Sequence, residues 1–371
     1  MQFLATAAFG MEGLAAGELR RLGYNSTAVN GGALFEGTFE DAMRANLYLR
    51  TADRVLLIVG TFEATTFESL FDQVAALPWE HYLTKDCRFP VSGNCARSQL
   101  MSVSDCQSIT KKAIVRRLQD RYRITWFPEN GPTVPISITL HANQARLTID
   151  TSGSALNRRG YRTWNGEAPL RETLAAALVD LSPWRPGMPL CDPFCGTGTL
   201  LIEAAFKMGR RAPGLTRSFA LEQFPGVPLK DFRGIREEAA STFDPSLIHN
   251  ISGSDIDPEA IQLAKKHIVQ AGLGGRIQVS VKDMRSCSMD SPSGAFLCNP
   301  PYGERLSDRK ACESLYSDLG AMLTRHPGWS LSAISSHPQF ERCIGRRASR
   351  KRRFYNGRLE CEFMTFLPKG K

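Results

Sequence analysis

Pro189-Leu-Cys-Asp192-Pro-Phe-Cys-Gly196-Thr-Gly198-Thr-Leu-Leu-Ile-Glu203-Ala-Ala is the stretch from which the fold is read. It predicts a short buried strand, a glycine turn and the start of an apolar helix. That is the nucleotide-binding corner of a doubly wound α/β sheet. Gly196 and Gly198 let the backbone turn sharply and approach a ligand closely. The N–H groups that open the next helix then face the ligand's anionic end.

A Gly-x-Gly turn by itself serves NAD, FAD, S-adenosylmethionine (SAM) or only the chain's own geometry. Two details narrow the choice. Leu201 stands where the dinucleotide fingerprint has its third glycine, which argues against a pyrophosphate. Asp192, at the strand end, repels phosphate and suits the cationic amino and sulfonium groups of SAM. A second stretch, Ala295-Phe-Leu-Cys298-Asn299-Pro300-Pro301-Tyr302-Gly303, reads as an apolar strand running into Asn-Pro-Pro-Tyr. Its two prolines fix the backbone and remove two N–H donors, which leaves carbonyls free to accept. Asn299 adds a side-chain acceptor and Tyr302 a flat face. Those are the partners of an exocyclic amine on a base that stacks.

Together, Asp192-Pro-Phe-Cys-Gly-Thr-Gly-Thr and Asn299-Pro-Pro-Tyr-Gly-Glu-Arg305-Leu closely resemble the bacterial THUMP-domain methyltransferases of ribosomal RNA, the large-subunit guanine-N2 enzymes, over nearly the whole chain. The resemblance implies an α/β fold with three parts. These are a ferredoxin-like α+β unit at 1–60, an RNA-binding THUMP domain at 61–155, and a Rossmann-like class I SAM-dependent methyltransferase domain at 156–371. It implies a cytoplasmic enzyme that methylates the N2 amine of a guanosine in large-subunit ribosomal RNA. Asn299, Pro300, Pro301 and Tyr302 would be catalytic. Asp192, Gly196, Gly198, Asp255, Ile256, Asp283, Met284 and Asn299 would hold SAM, with no metal. Leu170 and Arg171 would lie over the cofactor pocket.

Other readings stay open: a transfer-RNA guanine-N2 enzyme, a DNA adenine-N6 enzyme with the same tetrad, and a catalytically silent RNA-binding assembly factor. The THUMP-like half argues for RNA. Asp192, Asp255, Asp283 and the intact tetrad argue against the silent factor.

The formal net charge of +9 points to a polyanionic partner such as nucleic acid. No apolar run is long enough to span a bilayer. The start lacks a basic segment and runs into Glu12 and Glu18, so no signal peptide is expected. The ten cysteines form no CxxC pair and read as reduced thiols of a cytosolic protein.

Ahead of the glycine corner, Phe3 to Ala7, Ala33 to Gly37 and Arg54 to Gly60 predict strands, and Met11 to Leu22 and Phe39 to Leu49 helices, with a turn at Asn30-Gly31-Gly32. Phe67 to Ala76 and Ser108 to Asp120 follow as helices, the latter basic, with Arg88 to Ser92 extended. Ile136 to Leu140 and Gln144 to Asp150 predict a hairpin around His141-Ala-Asn143. Arg158, Arg159, Tyr161, Arg162 and Trp164 suit either phosphate clamping with base stacking or a packed interdomain linker. A helix is expected from Ala168-Pro169.

Beyond the corner, residues 207–247 read as an insertion near the RNA face. Ile248 to Gly253 is the next strand, and Asp255 at its end can take both ribose hydroxyls. Asp257 is an N-cap followed by Pro258. Ile277 to Val281 is the third strand, closed by Asp283-Met284, where related enzymes hold adenine. Cys312 to Thr324 is a helix and Ser330 to Ser335 a strand. Asn356-Gly357 between two strand-like runs predicts a terminal hairpin that sets one antiparallel strand in a parallel sheet. The six basic residues of Arg346 to Arg353 suit a solvated strand edge or phosphate contact.

Overall fold

The computed structural model describes residues 1–162, 170–227, 229–303 and 306–368. Trp164, Ala168, Pro169, Pro228, Glu304 and Arg305 lie outside them. The chain forms two units: Met1–Ala7, Ala15–Leu156 and Arg217–Glu237 in one, and Ala8–Leu14, Asn157–Thr216 and Glu238–Lys371 in the other. Among the described residues no helix is long and apolar enough to cross a membrane.

The first unit is built on one sheet. In chain order it holds β1 (Gln2–Thr6), β2 (Ser26–Val29), β3 (Gly32–Glu36), β4 (Arg54–Glu63), β5 (Val91–Ala96), β6 (Ile136–His141) and β7 (Gln144–Asp150). The strand order is β2-β3-β1-β4-β7-β6-β5. Its helices are α1 (Glu12–Arg21), α2 (Phe39–Tyr48), α3 (Phe67–Ala76) and α4 (Val103–Tyr122). The ferredoxin-like and THUMP-like segments share that sheet through the ten-residue β4, which pairs with β1 on one edge and β7 on the other. β2, short and half polar, carries too little periodicity to be read in advance.

Local chemistry sets the boundaries. Thr38 and Asp41 cap α2 reciprocally, and Ser102 caps α4 by accepting from the Asp105 N–H, so α4 starts five residues before Ser108. The β6–β7 hairpin turns on Ala142 and Asn143, both left-handed at φ 50° and 63°.

The 207–247 segment is divided between the two units. Arg217–Glu237 belongs to the first unit. Arg217 donates to the Ala155 carbonyl at 2.6 Å, and the guanidinium groups of Arg217 and Arg236 lie 5.2 and 5.3 Å from the Phe219 ring centroid. The segment's main helix is α5 (Leu229–Ser241).

The second unit is the doubly wound sheet. Its strands are β8 (Leu190–Asp192), β9 (Ile251–Asp255), β10 (Ile277–Val281), β11 (Gly294–Cys298), β12 (Trp329–Ser335), β13 (Arg350–Asn356) and β14 (Leu359–Phe366). The order is β10-β9-β8-β11-β12-β14-β13. β8 to β12 run parallel, and β14 is antiparallel to both β12 and β13. This is the terminal-hairpin arrangement read from Asn356-Gly357. Its turn sits one residue later than expected. Asn356 pairs with Leu359, so the central residues are Gly357 and Arg358, and only Gly357 has a positive φ, 64°. Asn356 therefore stays in the strand.

The helices of this unit are α6 (Glu172–Leu181), α7 (Thr199–Met208), α8 (Pro258–Gln270), α9 (Leu306–Arg325) and α10 (Phe340–Ile344). Of the linker arginines, Arg159 is buried and Arg162 half-buried, both facing acids, whereas Arg158 is exposed. Arg159 and Glu203 pair at 3.4 Å with side chains 2% and 0% exposed, and Tyr161 packs edge-on to Phe206. Arg162 reaches Glu172 at 3.4 Å and donates to the Thr199 hydroxyl.

Replacing Arg159 removes an ion-pair partner of Glu203 at a site closed to water. Arg159→Met should lower unfolding stability by about 3–5 kcal/mol, and adding Glu203→Leu should recover most of that loss. Denaturant titration checks this; a double variant no more stable than the single one would refute the pairing.

Candidate active site

The strand order reverses between β8 and β11, and in such sheets the ligand crevice opens at the carboxyl ends there. A cleft of about 1100 Å³ lies at that place. Asp192 ends β8 and is 1% exposed, with Oδ1 accepting the Phe194 N–H at 3.0 Å. Burial holds its carboxyl well above the usual carboxylate range. The Phe194 N–H opposes that shift and the nearby Asp255 charge adds to it.

Gly196 and Gly198 have φ of 49° and 84°. A Cβ on Gly196 would meet nothing within 4 Å, so the turn leaves open space beside it, in the cleft that it lines. α7 begins at Gly198 with no side-chain cap. The role of the missing third glycine has moved to the next strand. A Cβ on Gly253 would come within 2.5 Å of Leu201 Cδ1 and 2.9 Å of Cys195 Cβ. Close helix–strand packing is thus kept with leucine on the helix and glycine on β9. The sequence reading missed Gly253, because nothing local marks a strand glycine that faces a helix fifty residues away.

Asp255 ends β9. Its Oδ2 accepts the Gly196 N–H at 2.9 Å and its Oδ1 the Asp257 N–H at 3.1 Å. The expected ribose acid is therefore also the brace of the glycine turn, and each oxygen retains a second lone pair for a hydroxyl. Asp257 caps α8 through the Glu259 N–H, with Pro258 at the first position. Ile256 is 70% exposed in the cleft lining and Met284 is buried. Asp283 accepts the Arg285 N–H at 2.8 Å and pairs with the Arg285 guanidinium at 3.0 Å. Arg285, which the sequence reading passed over, also lines the cleft and bonds Asp318 at 2.7 Å. Leu170 is in the lining, whereas Arg171 is exposed and outside it.

Asn299, at the end of β11, and Pro301 line the cleft, whereas Pro300 is buried and Tyr302 half-buried outside the lining. The Tyr302 hydroxyl donates to Asn299 Oδ1 at 2.5 Å and accepts from Asn356 Nδ2 at 3.3 Å. The Pro301 carbonyl accepts the Tyr316 hydroxyl at 2.5 Å. Burial pushes both phenols above the tyrosine range, so both are neutral donors.

Among the described residues the lining holds five carboxylates (Asp192, Asp255, Asp257, Glu259 and Asp283) and one cation, Arg285. That donor set fits a cationic ligand with hydroxyl and amine groups and does not fit a pyrophosphate. It meets the demands of SAM. No cluster of His, Cys, Asp and Glu among the described residues is placed to hold a metal.

Comparison with known proteins agrees with this geometry. A family model for the RMKL-like methyltransferase domain matches residues 159–365, one for the RlmL ferredoxin-like domain residues 2–56, and one for the THUMP domain residues 64–150. A Bacillus subtilis protein named as an RNA methyltransferase, YpsC, is 40% identical over 370 residues, covering 99% of this chain and 96% of that one. A ribosomal RNA large subunit methyltransferase K/L of Syntrophotalea carbinolica is 34% identical over 390 residues. That match takes in 99% of this chain, which spans only 53% of the relative's length. Two solved structures each have a TM-score of 0.95. One, from Listeria monocytogenes, is described by prediction as an N6-adenine-specific DNA methylase; it is 42% identical, covering 99% of this chain and 96% of its own. The other, described as a methyltransferase, was crystallised with S-adenosylhomocysteine (SAH); it is 40% identical, covering 100% of this chain and 98% of its own.

The buried Asp192 carboxyl has a testable consequence for the ligand-free protein. A raised folded-state value means that the fold keeps a proton the unfolded chain releases near pH ~3.9. Stability is therefore fully present below that value and is lost as pH rises through the folded one. Asp192→Asn should melt higher than the wild type at pH ~8, with the difference shrinking toward pH ~4. Scanning calorimetry across that range tests it; equal melting at both ends would refute the burial cost.

Proposed function

The chain belongs to the RMKL-like family of SAM-dependent methyltransferases, and from that premise we propose that it methylates the exocyclic N2 amine of a guanosine in large-subunit ribosomal RNA in the cytoplasm. The observation that carries the reading is the hydrogen bond from Tyr302 to Asn299. It shows Oδ1 accepting beside an acidic cleft, and an exocyclic amine is the nucleic-acid group that could take the place of that O–H donor and still offer a second N–H to the Pro300 carbonyl. The THUMP match, the charge of +9 and the names of the relatives support RNA over DNA, and the K/L relative supports the large ribosomal subunit.

Bound in the cleft, SAM supplies an electrophilic methyl on a cationic sulfonium. The Asp192 carboxylate would hold its ammonium. Asp255 with Ile256 would hold the ribose, and Asp283 with Met284 the adenine. Gly196 and Gly198 give room for close approach. Guanine's N2 is a poor nucleophile because its lone pair is delocalised into the ring. Asn299 Oδ1 and the Pro300 carbonyl would accept its two N–H bonds and favour a pyramidal nitrogen. No strong base is needed, since the amine becomes acidic only as the methyl arrives. Positioning and electrostatic stabilisation carry the rate. Tyr302 would release Asn299 and turn its ring onto a base flipped out of its helix.

The direct test is incubation with labelled SAM and RNA from a strain lacking the gene. Label is expected in large-subunit ribosomal RNA, recovered as N2-methylguanosine. Label in transfer RNA alone would move the substrate, and label in neither would leave a silent RNA-binding factor.

Asn299→Ala should lower kcat on the order of a hundredfold or more while SAM affinity stays nearly unchanged. Isothermal calorimetry showing SAM binding lost would refute that division of roles.

A further inference from the structure

We infer that Phe9, Tyr355 and Arg353 form a fixed platform on which the RNA strand flanking the target nucleotide stacks. The inference deepens the proposed RNA methyl transfer and rests on it. Phe9 and Tyr355 are large aromatics left 53% and 41% exposed. Their rings meet edge to face at 5.7 Å, and the Arg353 guanidinium lies 5.9 Å from the Phe9 centroid. Base stacking on such rings tolerates any sequence, because every base has a π-face, and an arginine beside them adds to the hold on both base and backbone.

The platform is held in place. Residues 8–14 belong to the same unit as the terminal hairpin. Gly10, at φ 84°, lies so close to β13 that a Cβ would stand 2.8 Å from the Arg353 carbonyl. The Arg352 guanidinium donates to the Gly10 carbonyl at 2.5 Å. Phe9 is thereby fixed beside Tyr355 rather than left to move freely with its loop. A rigid aromatic loses little entropy on binding.

The platform lies one residue along β13 from a side chain that bonds the tetrad. Asn356, the neighbour of Tyr355, bonds the Tyr302 hydroxyl at 3.3 Å, and that hydroxyl bonds Asn299 at 2.5 Å. A strand whose target base enters the cleft leaves its neighbouring nucleotides at the hairpin tip. Charge there suits them. Residues 346–362 hold seven arginines and lysines against Glu360 and Glu362. The pairs that do form, Arg353 with Glu360 at 3.6 Å and Lys351 with Glu341 at 2.7 Å and Glu362 at 3.9 Å, are partly exposed surface pairs, of the kind phosphate can displace. A protein partner or a second copy would favour a more apolar and less charged face.

The test uses the full chain, ribosomal RNA from a strain lacking the gene, and the variants Phe9→Ala/Tyr355→Ala and Tyr355→Phe. RNA affinity by filter binding and steady-state methyl transfer are both read, with SAH affinity as the check on folding. Losing stacking should raise the Kd and KM for RNA about tenfold for each ring removed, with kcat and SAH affinity unchanged. Tyr355→Phe keeps the ring and loses the 2.9 Å bond to Glu360, so it should behave as wild type. Unchanged RNA affinity in the double variant overturns the platform, as does Tyr355→Phe losing as much as the double variant. A wild-type dimer that the double variant breaks overturns it in favour of a second copy. RNA affinity lost in the double variant, with no methyl transferred by the wild type, upholds the platform and refutes the proposed function instead.

Discussion

A carboxyl group held out of water at the end of β8 is the constraint around which the site is arranged. Asp192 is nearly inaccessible, accepts one backbone N–H, and faces the charge of a second acid rather than a cation. An uncompensated buried charge is costly, and proteins either neutralise it or pair it. In the ligand-free protein a retained proton neutralises it, and a cationic ligand that binds only the folded state would stabilise the fold by mass action. The rest of the corner follows from keeping this acid in place. Asp255 braces the glycine turn through the Gly196 N–H, and Gly253 lets Leu201 press close behind it.

The sheet and its cofactor corner were legible because their signals are local. A strand, two glycines and an apolar helix occupy seventeen consecutive residues, and Asp255 and Asp283 close the two strand-like runs that follow. Asp255 could be placed at the end of β9 despite the long insertion, because the strand that it closes is periodic whatever precedes it. What was not legible depends on which distant residues face each other. Gly253 matters only because Leu201 stands opposite. Arg285 matters only because the turn after β10 brings it beside Asp283. The hairpin was predicted, but a one-residue offset of its turn keeps Asn356 in β13, and the Asn356–Tyr302 bond exists because of that offset. Propensity does not resolve register at that precision.

The arginines make the same point about charge. Arg158 to Arg162 carry the composition of a phosphate clamp, yet Arg159 and Arg162 answer Glu203 and Glu172, acids on two different helices. In α4, Lys111, Arg116 and Arg117 pair with Glu129, Asp120 and Glu80. Net charge fixes how many basic residues are in excess but not which of them they are. In the hairpin the surplus lies in one short segment, beside two exposed aromatics. There, composition and geometry agree on a polyanion.

The tetrad closes the argument. In the ligand-free protein the Asn299 acceptor is not idle: a neutral phenol, itself steadied by Asn356, donates to it. Asn299 is half-buried, and the phenol satisfies part of its acceptor capacity in the empty cleft. An incoming amine exchanges one donated hydrogen bond for another, at little net cost. On the proposed mechanism, the exchange would free the tyrosine ring for a flipped base to stack on. A group with no N–H to give, such as a ring carbon or a ring nitrogen without hydrogen, could not make that exchange. On that mechanism, the same contact would thus favour a group with an N–H to give, such as an exocyclic amine.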